Sequence, residues 1–133
     1  MNDSRVITQA VACPWRRAYA FAADPLRLPD WASGLAKSTL TRVDDTHWSL
    51  ESVQGPARLR FAPPNELGVL DHWVTPEGVA EIYLPFRVIA LDADNCQFQF
   101  TLLRQPHMDD AAFDADAAAI ARDLQALQRL LEG

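Results

Sequence analysis

The feature that most constrains the fold of this chain is a long central stretch in which apolar residues recur at every second position. Six segments follow this strand-like period, namely Lys37–Val43, Thr46–Val53, Pro56–Ala62, Leu67–Thr75, Val79–Leu91 and Asn95–Gln105. Short runs rich in Asp, Asn, Gly and Pro separate these segments, and this is the composition of turns. Connections this short make neighbouring strands antiparallel. The stretch therefore predicts an antiparallel sheet.

The N-terminal part of the chain has a different pattern. Arg5–Ala12 alternates loosely between apolar and polar residues and predicts a first strand. Pro14–Ala23 reads as a short helix, which begins at a proline because the first helical N–H needs no partner. Asp24-Pro25 ends it, since the residue before a proline is pushed out of the α region. A second short helical piece then ends at Ser33-Gly34.

The C-terminal part predicts one long amphipathic helix. Its apolar residues lie three and four positions apart and form one stripe: Phe113, Ala117, Ile120, Leu124, Leu127 and Leu131. Asp109 or Asp110 is placed to cap its start. This helix is the element large enough to cover the sheet. Because twisted sheets curl, a helix laid in the concavity touches the rims first, and we expect a cavity between sheet and helix.

Size and charge place the chain in one class of protein. It has 133 residues with 12 basic and 18 acidic side chains, hence a net charge of −6, and 49% of its residues are hydrophobic. These values fit a single folded domain spanning residues 1–133. The negative charge argues against nucleic acid or an anionic membrane as a partner.

Cofactor and metal motifs do not occur in the sequence. Cys13 and Cys96 lack CxxC spacing, and His47, His72 and His107 fall on different predicted elements. No glycine-rich nucleotide-binding motif is found. The first residues lack the apolar core of a signal peptide. We therefore predict a cytoplasmic protein with free thiols, no metal and no cofactor.

Several stretches of the chain resemble a known superfamily. They are residues 13–25 (CPWRRAYAFAADP), the following Trp31, Arg60-Phe61-Ala62-Pro63 and residues 68–74 (GVLDHWV). The chain resembles START/Bet v 1-like proteins, and more narrowly the polyketide cyclase/dehydrase and SRPBCC proteins of bacteria. The resemblance implies an α+β helix-grip fold, in which a seven-stranded antiparallel sheet grips the C-terminal helix around a ligand cavity, with two short helices after the first strand. It also implies that the first and last strands are neighbours, which brings Cys13 near Cys96.

The superfamily has several functions. Its members bind lipids, hormones, polyketides or flavonoids, while some cyclise polyketides and others act as cochaperones. Since they share no single catalytic motif, the resemblance assigns no active site to this chain.

Strand registers predict which residues face the cavity. A two-residue turn at Gln54-Gly55 would pair Leu50 with Leu59 and Trp48 with Phe61. A three-residue loop at residues 76–78 would put Leu70, His72 and Val74 on the same face as Ile82, Leu84, Phe86 and Val88. Together with the helices, these registers predict a cavity lining of Trp31, Trp48, Phe61, Leu70, His72, Ile82, Phe86, Phe98, Phe100, Arg104, Phe113 and Ile120.

Two polar residues, His72 and Arg104, interrupt the predicted apolar face. His72 has three interpretations: a core histidine bonded to a carbonyl or a water, a ligand contact, or an acid/base catalyst. Arg104 either pairs with an acid near the sheet rim or holds a ligand carboxylate or enolate. Asp71 adjoins His72 but forms no dyad with it, because successive strand residues point to opposite faces. We expect Asp71 in a solvated outer patch with Glu81 and Arg87, or paired with them across the strands.

Three functions follow as hypotheses. The first is binding of a small apolar or aromatic ligand in the cavity. The second is a polyketide cyclase- or dehydratase-like reaction, with His72 moving a proton and Arg104 steadying an enolate. The third is a cochaperone-like interaction module that uses Trp73, Tyr83 and the charged outer face. A homodimer is a separate hypothesis about partners.

Overall fold

The computed structural model describes residues 3–32, 40–52 and 55–133. Within these ranges the chain forms β1 (Ser4–Val11), α1 (Trp15–Ala22), α2 (Leu28–Trp31), β2 (Thr41–Arg42), β3 (His47–Ser52), β4 (Gly55–Phe61), β5 (His72–Pro76), β6 (Ile82–Leu84), β7 (Phe86–Ala90), β8 (Cys96–Leu103) and α3 (Asp110–Glu132). The two short helices after the first strand and the long C-terminal helix are confirmed. The predicted helix end at Ser33-Gly34, the start of the strand at residues 37–39 and the turn residue Gln54 lie outside the described residues.

The strands form two antiparallel sheets. One has the order β1-β8-β7 and the other β2-β3-β4-β5-β6 in the described part of the chain. The prediction of a single seven-stranded sheet is therefore wrong. The expected strand Val79–Leu91 is interrupted at Pro85, which has no N–H to donate to a ladder. β6 pairs with β5 on one side of the interruption, and β7 pairs with β8 on the other.

The first hairpin register differs from the prediction by two residues. Trp48 pairs with Leu59 and Leu50 with Ala57, so the expected partners Phe61 and Leu59 are wrong. Because side chains alternate with a period of two, this shift leaves each residue on its predicted face. The faces were therefore predictable even though the turn was misplaced.

The second hairpin keeps its predicted face. Val74 pairs with Ile82 and His72 with Leu84, so these four side chains share one side of the sheet. The strand preceding the hairpin is shorter than predicted, since residues 67–71 lie outside β5. They instead approach β7, where the N–H of Leu70 donates to the Phe86 carbonyl at 2.8 Å.

A buried carboxylate connects the two sheets beside Pro85. Asp71, only 5% exposed, accepts hydrogen bonds from the Tyr83 hydroxyl at 2.6 Å and the Phe86 N–H at 2.9 Å. The Arg87 guanidinium binds both of its oxygens, at 2.8 and 2.9 Å. Of the two expected arrangements for Asp71, pairing across the strands is the one observed, and the solvated patch is wrong. The Arg87, Tyr83 and Phe86 donors outweigh burial and lower the pKa of Asp71 to about 2.

The long helix packs on one side of the molecule. α3 is capped by Asp109, whose carboxylate accepts from the Ala112 N–H at 2.8 Å, and it contacts β1 and α2. Its apolar stripe faces the interior, with Phe113, Leu124, Leu127 and Leu131 fully buried.

The two cysteines lie side by side at the neighbouring ends of β1 and β8. Both are buried free thiols, as predicted. Burial, together with the adjacent Cys13, raises the pKa of Cys96 to about 12.

Substituting Asp71→Asn is expected to lower the free energy of unfolding by about 2 kcal/mol near neutral pH, as 1 pKa unit is worth about 1.4 kcal/mol. The folded pKa of about 2 lies below the ordinary 3.8, so the carboxylate stabilises the fold above pH 3.8. This stability is lost as the pH falls through 2. Denaturant unfolding measured from pH 7 to pH 2 should show that the difference in free energy of unfolding between the wild type and Asp71→Asn becomes smaller. Glu81→Gln, which breaks the exposed pair with Arg60, is the control and should cost far less.

Gly68→Ala tests the approach of residues 67–71 to β7. Gly68 has a φ of +74°, and a Cβ there would lie 2.2 Å from the Val88 carbonyl oxygen. We expect the free energy of unfolding to fall by about 3 kcal/mol, because backbone strain and overpacking act together. Gly78→Ala is matched in φ but meets no atom within 4 Å, so it should cost about 1 kcal/mol. Equal losses in thermal unfolding would contradict this account.

Candidate functional site

A cavity of about 250 Å³ lies between α3 and the inner face of the five-stranded sheet. Most of its walls are apolar, as expected for a ligand pocket. The lining residues are Leu28, Trp31, Ala32, Ser52, Ala57, His72, Val74, Pro76, Ile82, Leu84, Phe100, Leu102, Leu103, Gln105, Met108, Asp116, Ala119, Ile120, Asp123 and Leu124.

An aromatic cluster lies behind one wall of this cavity and contributes Trp31, His72 and Phe100 to its lining. Phe86 lies at its centre, with the rings of Phe100 at 5.3 Å, Phe98 at 5.4 Å and Trp31 at 5.9 Å between centroids. Its ring also meets that of His72 edge-on at 6.1 Å. Such packed rings lose little entropy on binding a ligand, because they are already held in place.

His72 is buried in this wall with one ring nitrogen engaged. Its Nδ1 lies 3.1 Å from the carbonyl oxygen of Leu70, which can only accept, so Nδ1 carries the proton. Burial lowers the pKa of His72 below its ordinary 6.5 and keeps the ring neutral at pH 7. The remaining nitrogen, Nε2, is then a hydrogen-bond acceptor. It has no hydrogen-bond partner among the described residues.

Trp31 has an unused polar group, which is covered by protein atoms behind the same wall. Its Nε1–H is the buried side-chain polar atom that lacks a hydrogen-bond partner in the part of the chain that the structure describes. The side chain is only 5% exposed. An unsatisfied buried donor costs about 1–3 kcal/mol, and such groups in native proteins call for a specific explanation.

Two carboxylates lie on the helix side of the cavity. Asp116 and Asp123 are two turns apart on α3, on either side of Ile120. Burial raises the pKa of Asp116, and the positive field of nearby His107 partly offsets this effect. Both acids are half-buried, so a ligand that enters beside Asp116 meets a carboxylate.

The cavity brings together part of the predicted lining. Trp31, His72, Ile82, Phe100 and Ile120 lie in its walls. Phe61, Leu70 and Phe86 line an adjoining cleft of about 20 Å³, which has room for roughly one water molecule.

The structure places four other candidates elsewhere. Phe98 and Phe113 are fully buried in the core, and Trp48 is half-buried against it. Arg104 lies near the start of α3, with Nη1 at 2.8 Å from Asp110 and 3.2 Å from Asp3. The rim pairing weighed for Arg104 is thus the arrangement observed, and its guanidinium does not reach the cavity that His72 lines.

Sequence reasoning missed the acidic part of the lining. Asp116 and Asp123 lie four positions before and three after Ile120, which already belonged to the predicted stripe. This i, i+4, i+7 spacing was the available signal that both carboxylates share the inner face of the helix. Leu84 and Val74 were assigned to the correct sheet face but were not included in the predicted lining.

Asp71 and His72 form no dyad, as predicted. The carboxylate bonds to Tyr83, Phe86 and Arg87, while the imidazole bonds to Leu70 on the other face. Over the described ranges no group of three or more His, Cys, Asp or Glu side chains is arranged to hold a metal ion. No helix in those ranges is both long and apolar enough to cross a membrane.

We expect His72 to stay neutral in the folded protein as the pH falls below 6.5. The unfolded chain takes up the proton first, so His72 stabilises the fold above pH 6.5, and this contribution is lost as the pH falls towards the lower folded pKa. Through this group the free energy of unfolding changes by at most about 1.4 kcal/mol per pH unit. Long-range ¹H–¹⁵N NMR should show the Nδ1–H tautomer. Protonation at the same pH as in the denatured chain would contradict the assignment.

Comparisons with known proteins identify the fold. No family model and no curated protein matches the sequence. Among solved structures, a START superfamily protein from Mycobacterium smegmatis is 13% identical, with a TM-score of 0.76 over 99% of this chain and 98% of its own. The Aha1 dimer from Colwellia psychrerythraea is 11% identical, with a TM-score of 0.75 over 98% and 96%. An uncharacterized protein from Bacillus thuringiensis is 12% identical, with a TM-score of 0.76 over 97% and 98%. The chain therefore has the START/Bet v 1-like fold, with a long C-terminal helix packed on antiparallel sheets.

Proposed function

We propose that the protein binds a small apolar or aromatic molecule in the cavity beneath α3. The observation that carries this proposal is a cavity of about 250 Å³ whose walls are mostly apolar but include His72 Nε2, which has no hydrogen-bond partner among the described residues. A few polar groups in apolar walls are the composition of a ligand site.

The volume limits the size of the ligand. An apolar protein cavity of about 150 Å³ accommodates one benzene molecule. A cavity of 250 Å³ is therefore large enough for a bicyclic aromatic and too small for a long lipid. The START superfamily name of one structural neighbour agrees with ligand binding as a general role for this fold.

The cyclase- or dehydratase-like hypothesis receives less support from the geometry. It needs an acid/base group and an anion-stabilising group around one reacting atom. His72 lies in the cavity, but Arg104 is bonded to Asp3 and Asp110 at the far end of β8. Since its second group is engaged elsewhere, we place binding ahead of catalysis.

Homodimerisation is a second proposal, based on the outer face of the five-stranded sheet. Trp73 and Tyr83 stack there at 5.2 Å, and the guanidinium of Arg60 lies 4.0 Å from the Trp73 ring centroid. Trp, Tyr and Arg are the residues most enriched in interface hot spots. One structural neighbour was solved as a dimer. Light scattering of the wild type and Trp73→Ala tests this proposal, and a monomeric wild type would remove it.

Filling the cavity should abolish binding. Ala119 lines the void, whereas Ala118 is exposed on the same helix. We expect Ala119→Phe to weaken binding of naphthalene, a bicyclic apolar probe, by at least about tenfold, since the new ring occupies its space. Ala118→Phe is the matched control and should bind like the wild type. NMR chemical-shift titration measures both, and equal affinity in the two variants would place the site elsewhere.

A further inference from the structure

Resting on the proposed function, we propose a specific ligand class: the cavity takes an uncharged aromatic molecule whose hydroxyl donates a hydrogen bond to Nε2 of His72, and it rejects carboxylates of the same size. Two features of the walls support this selectivity. They are the direction of the His72 hydrogen bond and the Asp116 carboxylate on α3.

The His72 ring sets the polarity of the hydrogen bond. Because Nδ1–H donates to the Leu70 carbonyl at 3.1 Å, the free nitrogen presents a lone pair. A ligand hydroxyl satisfies this acceptor. An ether or ketone of the same shape cannot, and a carboxylate would bring a second lone pair against the first. The rings of Phe61 at 6.0 Å and Phe100 at 5.9 Å hold the imidazole in this orientation.

The charge of the lining acts against anions. Asp116 contributes a carboxylate, and the described lining contains no lysine or arginine. Arg104 lies outside the cavity and is bonded to Asp3 and Asp110. A carboxylate ligand would therefore lose its hydration and meet the like charge of Asp116, with no cation among the described lining residues to balance it.

Four probes that share the naphthalene ring test the proposal. They are 2-naphthol, 2-methoxynaphthalene, naphthalene and 2-naphthoate, titrated at pH 7 and followed by ¹H–¹⁵N NMR, with the Trp31 indole signal assigned from Trp31→Phe. We expect 2-naphthol to bind about tenfold more tightly than the methyl ether, which corresponds to about 1.4 kcal/mol and lies near the upper end of the net value of one hydrogen bond. We expect 2-naphthoate to bind most weakly.

Two variants assign the preference to the named groups. His72→Phe keeps a ring in the aromatic cluster but removes the acceptor, so the naphthol-to-ether ratio should fall to about 1. Asp116→Asn removes one cavity carboxylate and should raise the affinity for 2-naphthoate several-fold, while 2-naphthol is little changed. Asp94→Asn, on an exposed turn, makes the same change in net charge and should leave all four affinities unchanged. Because Asp116 is only half-buried, its variant remains informative even if His72→Phe does not fold.

The outcomes separate this inference from the proposed function. If all four probes bind equally, or if 2-naphthoate binds best, the selectivity is overturned and the cavity remains a binding site. The same holds if His72→Phe folds and keeps the naphthol preference. If no probe binds, not even naphthalene, the proposed function itself is contradicted.

Discussion

The junction between the two sheets is organised around one buried carboxylate, placed where a strand is interrupted. Pro85 lies between β6 and β7, which pair with different sheets. Backbone hydrogen bonds join the sheets there, from the N–H of Leu70 to Phe86 and from that of Val88 to Gly68. Asp71 adds a side-chain connection by accepting from Tyr83 in β6 and from Phe86 and Arg87 in β7. An ionised carboxylate is tolerated at this depth because four donors satisfy it.

This interaction also positions the candidate site. Asp71 precedes His72 directly, so a carboxylate bonded on one face of the strand places the imidazole on the other. The Phe86 N–H is bonded to the same carboxylate, and the Phe86 ring forms the centre of the aromatic wall. The hydrogen bonds of Asp71 and the cavity lined by His72 are therefore on opposite faces of the same segment. The position of His72 depends on a carboxylate that does not line the cavity.

The site could be predicted only in part, because a residue on the inner face of a sheet does not necessarily line the cavity. Alternation assigned Phe98 and Phe100 to the inner face, and both are buried. Only Phe100 reaches the cavity, whereas Phe98 is packed against Phe86 in the core. Where the helix crosses the sheet depends on contacts distant in sequence, and no periodicity encodes it.

By itself the sequence determined the elements, the two short helices, the long amphipathic helix and the side of the sheet on which each residue lies. These properties are local, since they follow from side-chain period, prolines and caps. They are unaffected by the two-residue error in the predicted register of the first hairpin. The tertiary structure alone decided that the sheet divides at Pro85, that Arg104 pairs at the rim and that Asp116 faces the cavity. Each of these outcomes depends on which distant group meets a charge or a backbone N–H, and only the packed chain specifies that partner.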